Sequence, residues 1–534
     1  MAQYDLILQG GRYFDGSCAP SAIRSLAIKD GRIALVSAEP LDPALAGQVI
    51  DVQGKWITPG FLDTHTHYDA ELIVAPSLSE SVRHGVTTVL VGSCSLSMVC
   101  SAAEDASDIF TRVETVSREK VLPILRQHKS WSSPAQWRAF IDRHPLGPNL
   151  ISFLGHSDLR VAVMGLHRAT DRQVTPSEDE LQRMEALLEE ALDCGFLGLS
   201  TMCLKWDKID GDREWSKSLP STYARWREVR RLNRLLRRRG RVHQGAPNAA
   251  NPLQITQYIG EAIGLLRKPL KTTLISLLDL KGNRSLALLA RFSAWLTNRL
   301  GGDFRWQLLP TPFAIYADGM DIVLFEEFGD AVILGCPDAS LVGRNFAEVA
   351  RERGLHVVDL FLDMVVQYGR QLRWFTVIGN HRQDKLREMV RSPNTLITFS
   401  DAGAHIRNMA FYNLPLRFLK LVQDSHDEGR PVMSLEQAVH RLTGEQADWL
   451  GIDAGYIRVG DRADLVVLDP AGLRQNLEQE HWDEMQGFGI PRMVCRNPGC
   501  VSHVLINGKL AVDDEQIAPE LGRQSGFGQF LAAR

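Results

Sequence analysis

Apolar and polar positions follow two different rhythms along this chain. Residues 1–55 hold short runs such as "YDLILQGGRYFDG", "SLAIKDGRIALVS" and "VIDVQGKWITPG", broken by Gly-Gly and Asp-Gly, pairs that tolerate the positive φ of tight hairpin turns. The same texture returns in "YIRVGDRADLVVLDP" and "CVSHVLINGKLAVDDEQ", so strands from both ends of the chain are expected to share one small β unit. Between them, apolar β-branched runs alternate with segments of 3.6-residue period, the pattern of a buried parallel sheet joined by helices. The expected strands are 57–64, 85–93, 148–155, 195–201, 241–247, 271–278, 304–310 and 394–401. The segment "SEDELQRMEALLEEALDCG" shows the helical period and stops at Gly195. Eight strand–helix units predict an α/β fold, a (β/α)8 TIM barrel with a small β-sandwich domain built from both termini. The units are expected at 1–56 (sandwich, first part), 57–440 (barrel) and 441–534 (sandwich, second part, and tail).

Composition narrows the class without naming a chemistry. With 534 residues the chain exceeds what one core serves, and a formal net charge of −4 argues against a general nucleic-acid or acidic-membrane partner. The N-terminal run "MAQYDLILQGG" carries Asp5 and no basic head, so it reads as a first strand and export is not expected. The eight cysteines (18, 94, 100, 194, 203, 336, 495, 500) follow no disulfide-scaffold or zinc-finger spacing, and no apolar run is long enough to span a bilayer. A cytoplasmic protein is expected, without nucleic acid or membrane, and a homo-oligomer is compatible with it. The basic segment "ARWREVRRLNRLLRRRGR" places Leu232, Leu235 and Leu236 on one face, so it reads as an outer barrel helix with a solvated Arg side.

Chemistry enters at "KWITPGFLDTHTHYDAEL". His65 and His67, two apart on a strand, project side by side in a chelating arrangement. With 15 histidines in the chain, about 0.4 such pairs arise by chance, so the pair counts only with its surroundings. A barrel gathers its chemistry at the C-terminal strand ends. There the chain places His65 and His67 (strand 1), Cys94 (strand 2), His156 (strand 3), His243 (strand 5) and Asp401 (strand 8). Imidazole, thiolate and carboxylate suit Zn2+. Singly, Cys94 reads as a small buried hydrophobe, His243 as a core residue and Asp401 as a helix cap.

These pieces resemble the amidohydrolase superfamily and, within it, the N-acyl-D-amino-acid deacylases (D-aminoacylases). The resemblance rests on "VIDVQGKWITPGFLDTHTHYDA", "GVTTVLVGSCSLS", "GHSDLR", "GFLGLST", "SDAGAH" and "EQAVHRLTGEQADWLGI…GYIRVGDRADLVVLDP" and covers nearly the whole chain. It implies that His65, His67, Cys94, His243 and Asp401 ligate metal and that Asp401 is the catalytic general base. Two departures stand out. "VHQGAPN" lacks the Met-Arg that follows the family's strand-5 histidine, and "LISLLDLKG" replaces its strand-6 histidine by Leu277 or Asp279, depending on the alignment. One zinc ion, not two, is therefore expected between His65, His67 and Asp401.

The implied reaction is hydrolysis of the C–N amide bond of an N-acyl amino acid or related small-molecule amide by metal-activated water. His156, Arg160, Lys281 and His405 are the expected substrate-binding residues, and a free carboxylate on the substrate would need a cation among Arg160, Lys205, Lys281 and Arg407. A cyclic-amide hydrolase or another metal-assisted enzyme of secondary metabolism, and a degenerate barrel acting as a binding scaffold, stay open as alternatives. The polar, turn-rich stretch 205–222 is expected to loop over the barrel mouth, with Trp206 and Trp215 toward substrate.

Overall fold

The computed structural model describes residues 2–248, 251–264, 267–320 and 328–534. Eight parallel strands lie side by side in chain order: β1 (Phe61–Asp63), β2 (Val86–Val91), β3 (Asn149–Gly155), β4 (Gly198–Met202), β5 (Val242–Ala246), β6 (Lys271–Leu274), β7 (Phe304–Leu308) and β8 (Thr395–Ile397). The two edge strands, β1 and β8, meet just beyond their C-terminal ends. There Thr66 bridges Ala402, and the His67 amide donates to the Ala402 carbonyl at 2.8 Å. Each expected run supplies one strand. Inside, Leu62, Leu90, Ile151, Phe153, Val242 and Leu396 form a buried cluster with Trp449 and Leu531 from the C-terminal part of the chain. Burying such a side chain stabilises the fold by roughly 1.5–3 kcal/mol.

The first expected run, 57–64, is divided between two sheets. Trp56–Pro59 pairs with Leu465–Leu468 in the terminal sheet, and only Phe61–Asp63 enters the parallel one. Gly60 makes the step possible: a Cβ there would stand 1.9 Å from Thr87 Oγ1, so only glycine lets the chain pass so close to β2.

Strands from both termini pair in a second, nine-stranded sheet. Its first strand is Tyr4–Tyr13. One edge pairs with Ala22–Lys29, and the other takes Ala46–Asp51 and then Trp56–Pro59, which keeps all neighbours in one sheet. Its apolar side gathers Leu8, Leu26, Ile57, Leu465 and Leu505 into a core of its own.

The regular strand–helix alternation fails between β7 and β8. An antiparallel sheet of Phe313–Asp318, Val332–Gly335 and Arg373–Gly379 stands there, with helices Phe346–Arg353 and Val357–Tyr368 and a separate core around Phe346, Leu360, Phe361 and Trp374. No described helix is long and apolar enough to cross a membrane.

Candidate metal centre

The seam between β1 and β8 carries the site. Beyond β1, His65 and His67 are both buried, with ring centroids 5.3 Å apart. Beyond β2, Gly92 at φ 77° turns the chain against the Phe153 carbonyl, and Cys94 follows at φ 54° and Ser95 at φ 67°. Beyond β8, Phe399 (φ 90°), Asp401 (φ 53°) and His405 (φ 46°) also occupy the left-handed region. Five non-glycine residues in that region around one pocket are costly backbone conformations, each of order 1–3 kcal/mol, and such strain concentrates where function fixes side-chain direction.

The side chains converge. Ligand atoms of His65, His67 and Cys94 all lie within 4.8 Å of one another. Cys94 Sγ is 3.3 Å from His65 Nε2, and Asp401 Oδ1 is 3.3 Å from His65 Nε2 and 3.6 Å from His67 Nε2. Around them, Gln307 Oε1 meets His65 Nδ1, Glu114 Oε1 lies 3.3 Å from His67 Nδ1, and the Cys94 amide donates to Gln244 Oε1 at 2.9 Å. His405 closes the ring, with Nε2 3.8 Å from Glu114 Oε2 and its Nδ1 3.1 Å from Thr115 Oγ1.

Electrostatics suits a cation. Burial lowers the His65 pKa to about 4, so the ring is neutral and its lone pair available. Burial pushes Glu114 up to about 8 and the Cys94 thiol up to about 12. Burial works against ionisation of Asp401 too, but His67 and His65 hold that carboxyl below the ordinary range. His67 is also opposed by burial, and Glu114, Asp401 and Cys94 nevertheless raise it well above a free imidazole. Glu114 Oε2 and Asp401 Oδ1 are buried without a hydrogen bond. Two imidazoles, a thiol and a carboxylate facing one another, with buried oxygens unsatisfied, fit a divalent ion of the zinc type.

Several expected residues lie elsewhere. His243 points away from the site: its Nε2 is 3.1 Å from Thr201 Oγ1 and its ring rests 5.2 Å from Tyr258 of the helix that follows β5. Strand alternation sends its neighbour Gln244 inward instead. His156 and Arg160 both pair with Glu228 inside the protein, His156 Nε2 at 2.9 Å and Arg160 through its guanidinium. Lys281 pairs with Asp330 at 2.5 Å, and Arg407 pairs with Asp318 at 2.6 Å. On strand 6, Leu277 is buried among apolar side chains, and Asp279 is held by Arg382. In 205–222, Asp207 is drawn up to about 7 chiefly by burial, with His67 pulling the other way, while Trp206 and Trp215 are exposed and Arg112 stacks on Trp215 at 4.2 Å.

Glu114, Gln244 and Gln307 escaped the sequence reading. "TRVETV" carries no motif, but Gln244 could have been found by applying strand alternation to "VHQGAP".

Comparison with known proteins gives the family. The profile of the amidohydrolase family matches residues 332–511. The chain is 44% identical to an uncharacterized protein of Mycobacterium tuberculosis over 98% of this chain and 94% of that one. It is 26% identical to N-acyl-D-aspartate deacylase of Alcaligenes xylosoxydans xylosoxydans, over 97% and 94% of the two chains. A solved D-aminoacylase, described as having a binuclear metal centre, superposes with a TM-score of 0.69 at 23% identity over 99% of this chain and all of that one, which shows a shared fold. On the full-length relatives, the family profile and the fold together, the chain belongs to the amidohydrolases, in their N-acyl-D-amino-acid deacylase branch, hydrolases of carbon–nitrogen bonds other than peptide bonds.

Proposed function

We propose that this chain hydrolyses the amide bond of a small acylated amine in the cytoplasm, with one divalent ion, zinc, held by His65, His67 and Asp401 and flanked by Cys94. The observation that carries the reading is the approach of Asp401 Oδ1 to both imidazole nitrogens beside the Cys94 sulfur. When bound, the ion supplies a water of lowered pKa and a Lewis acid for the scissile carbonyl.

The chain's own groups do the rest. Asp401, ionised at neutral pH, accepts the proton of the attacking water as its oxygen bonds to the carbonyl carbon. The same carboxyl then returns that proton to the amide nitrogen as the C–N bond breaks, leaving acid and amine. Gln307 accepts from the far nitrogen of His65, and Glu114 lies 3.3 Å from that of His67, so these two side chains would orient the rings. His405, beside Glu114 and partly exposed, orients the substrate at the mouth.

One observation favours a second reading of the substrate. Arg160, Lys281 and Arg407, three of the four cations expected to clamp a carboxylate, are each engaged by an acidic side chain. A neutral or cyclic amide needs no such clamp. Metal-replete protein is therefore to be assayed on N-acetyl-D- and N-acetyl-L-amino acids alongside uncharged and cyclic amides. Turnover in the panel is expected, with the uncharged members favoured if the second reading holds; a panel with no turnover at all would remove amide hydrolysis.

A further inference from the structure

The helix Arg284–Arg299, which follows β6 on the outside of the parallel sheet, is built inside out. Its small residues, Ala287, Ala294 and Thr297, are the buried ones, and the Trp306 indole of β7 donates to the Ala290 carbonyl at 2.9 Å. Its large apolar residues face outward. Leu288 is 66% exposed, Leu289 62%, Phe292 56% and Trp295 51%, with Leu296 partly exposed and Leu253 of the preceding helix 71% exposed. Elsewhere the usual arrangement holds: helix Glu178–Asp193 buries Met184, Leu188 and Leu192 and turns its acids to water.

Six such side chains expose on the order of 600 Å2 of apolar surface. A lone monomer rarely shows more than a few hundred, and each partner of a stable interface buries about 800 Å2. Phe292 and Trp295 lie tilted against each other in the middle of the stripe, centroids 5.7 Å apart, the aromatic anchor typical of an interface centre. The charge pattern selects the partner. From Lys281 to Gly302 the sequence has no acidic residue, and its one mid-helix cation, Arg291, is neutralised by Glu388 at 3.0 Å. Arg284 and Arg299 stand at the two ends. An uncharged centre offers nothing for a charged partner to read, but it is complementary to itself.

We infer that this stripe is the two-fold interface of a homodimer, the helix of one protomer crossing that of a second copy near Phe292. Crossing at about 50°, the commonest angle for packed helices, joins the apolar centres and lets the cationic ends diverge into water.

Sedimentation velocity on the full chain tests this. Wild type at micromolar concentration is expected to run at twice the 59.7 kDa chain mass, and Phe292→Glu/Trp295→Glu as a folded monomer with an unchanged thermal midpoint. Should that variant fail to fold, Phe292→Cys in a Cys18→Ser background reads the same contact by oxidative cross-linking, expected to yield a covalent dimer. A monomeric wild type overturns the inference, as does a dimer indifferent to both changes. So does a monomer that instead sediments with phosphatidylglycerol vesicles, which would assign the stripe to a membrane surface.

Discussion

Asp401 Oδ1 lies 3.3 Å from His65 Nε2 across the seam where the first and last parallel strands meet. The carboxylate reaches that spot because Phe399 and Asp401 hold left-handed backbone conformations, φ 90° and 53°, which bend the chain inward after β8. Asp401→Asn preserves shape and removes the base. At saturating metal it is expected to lower kcat by about 100- to 10,000-fold. Activity near wild type in metal-replete Asp401→Asn would contradict the assigned proton transfer.

Glu114 stands behind His67 as Gln307 stands behind His65. Removing such an outer partner typically weakens metal affinity by about 10- to 100-fold. Glu114→Gln is expected to do so in competition with a chromophoric chelator while the protein stays folded. An unchanged metal Kd would show that Glu114 only fills space.

His243 and Gln244 make a paired test of strand direction. His243→Ala is expected to leave metal content unchanged and to lower stability by about 1–3 kcal/mol, because it empties a buried site beside Tyr258. Gln244→Ala, which releases the Cys94 amide, is expected to weaken metal binding instead. Metal analysis of the two variants separates the alternatives, and loss of metal in His243→Ala alone would reverse the assignment.

The buried cluster of His156, Arg160 and Glu228 predicts a pH dependence of stability. Burial alone would raise Glu228, but His156 and Arg160 bring it down from 4.5 to about 2. A folded-state value below the unfolded one means the stabilisation is fully present above pH 4.5 and is lost as pH falls toward 2. Its upper size is about 3 kcal/mol. Glu228→Gln is expected to be less stable than wild type near pH 7 by that order and to flatten the decline between pH 4.5 and 2. Parallel pH profiles for the two proteins would contradict this.

Most of the frame was legible because period and punctuation are local. Apolar β-branched runs and their glycine stops located all eight parallel strands, and the spacing of His65 and His67 pointed to the side chains that meet beyond the first of them. What escaped depends on three-dimensional direction. Which of His243 and Gln244 faces inward is a matter of strand phase, and a one-residue shift exchanges them. Arg160 looked like a substrate clamp until Glu228, on another helix, proved to hold it. Glu114 sits in an unmarked segment whose only distinction is its place behind His67. The inserted unit between β7 and β8 left its trace in the length of the 311–393 stretch.

Anomalous diffraction at the zinc edge, from crystals of zinc-loaded protein, tests the central claim most directly. The expected result is one strong peak per chain about 2.0–2.1 Å from one nitrogen each of His65 and His67, with an Asp401 oxygen at about 2.0–2.2 Å. A zinc-loaded crystal with no peak between those three side chains, or with its peak on His243 or Asp279 instead, would contradict it.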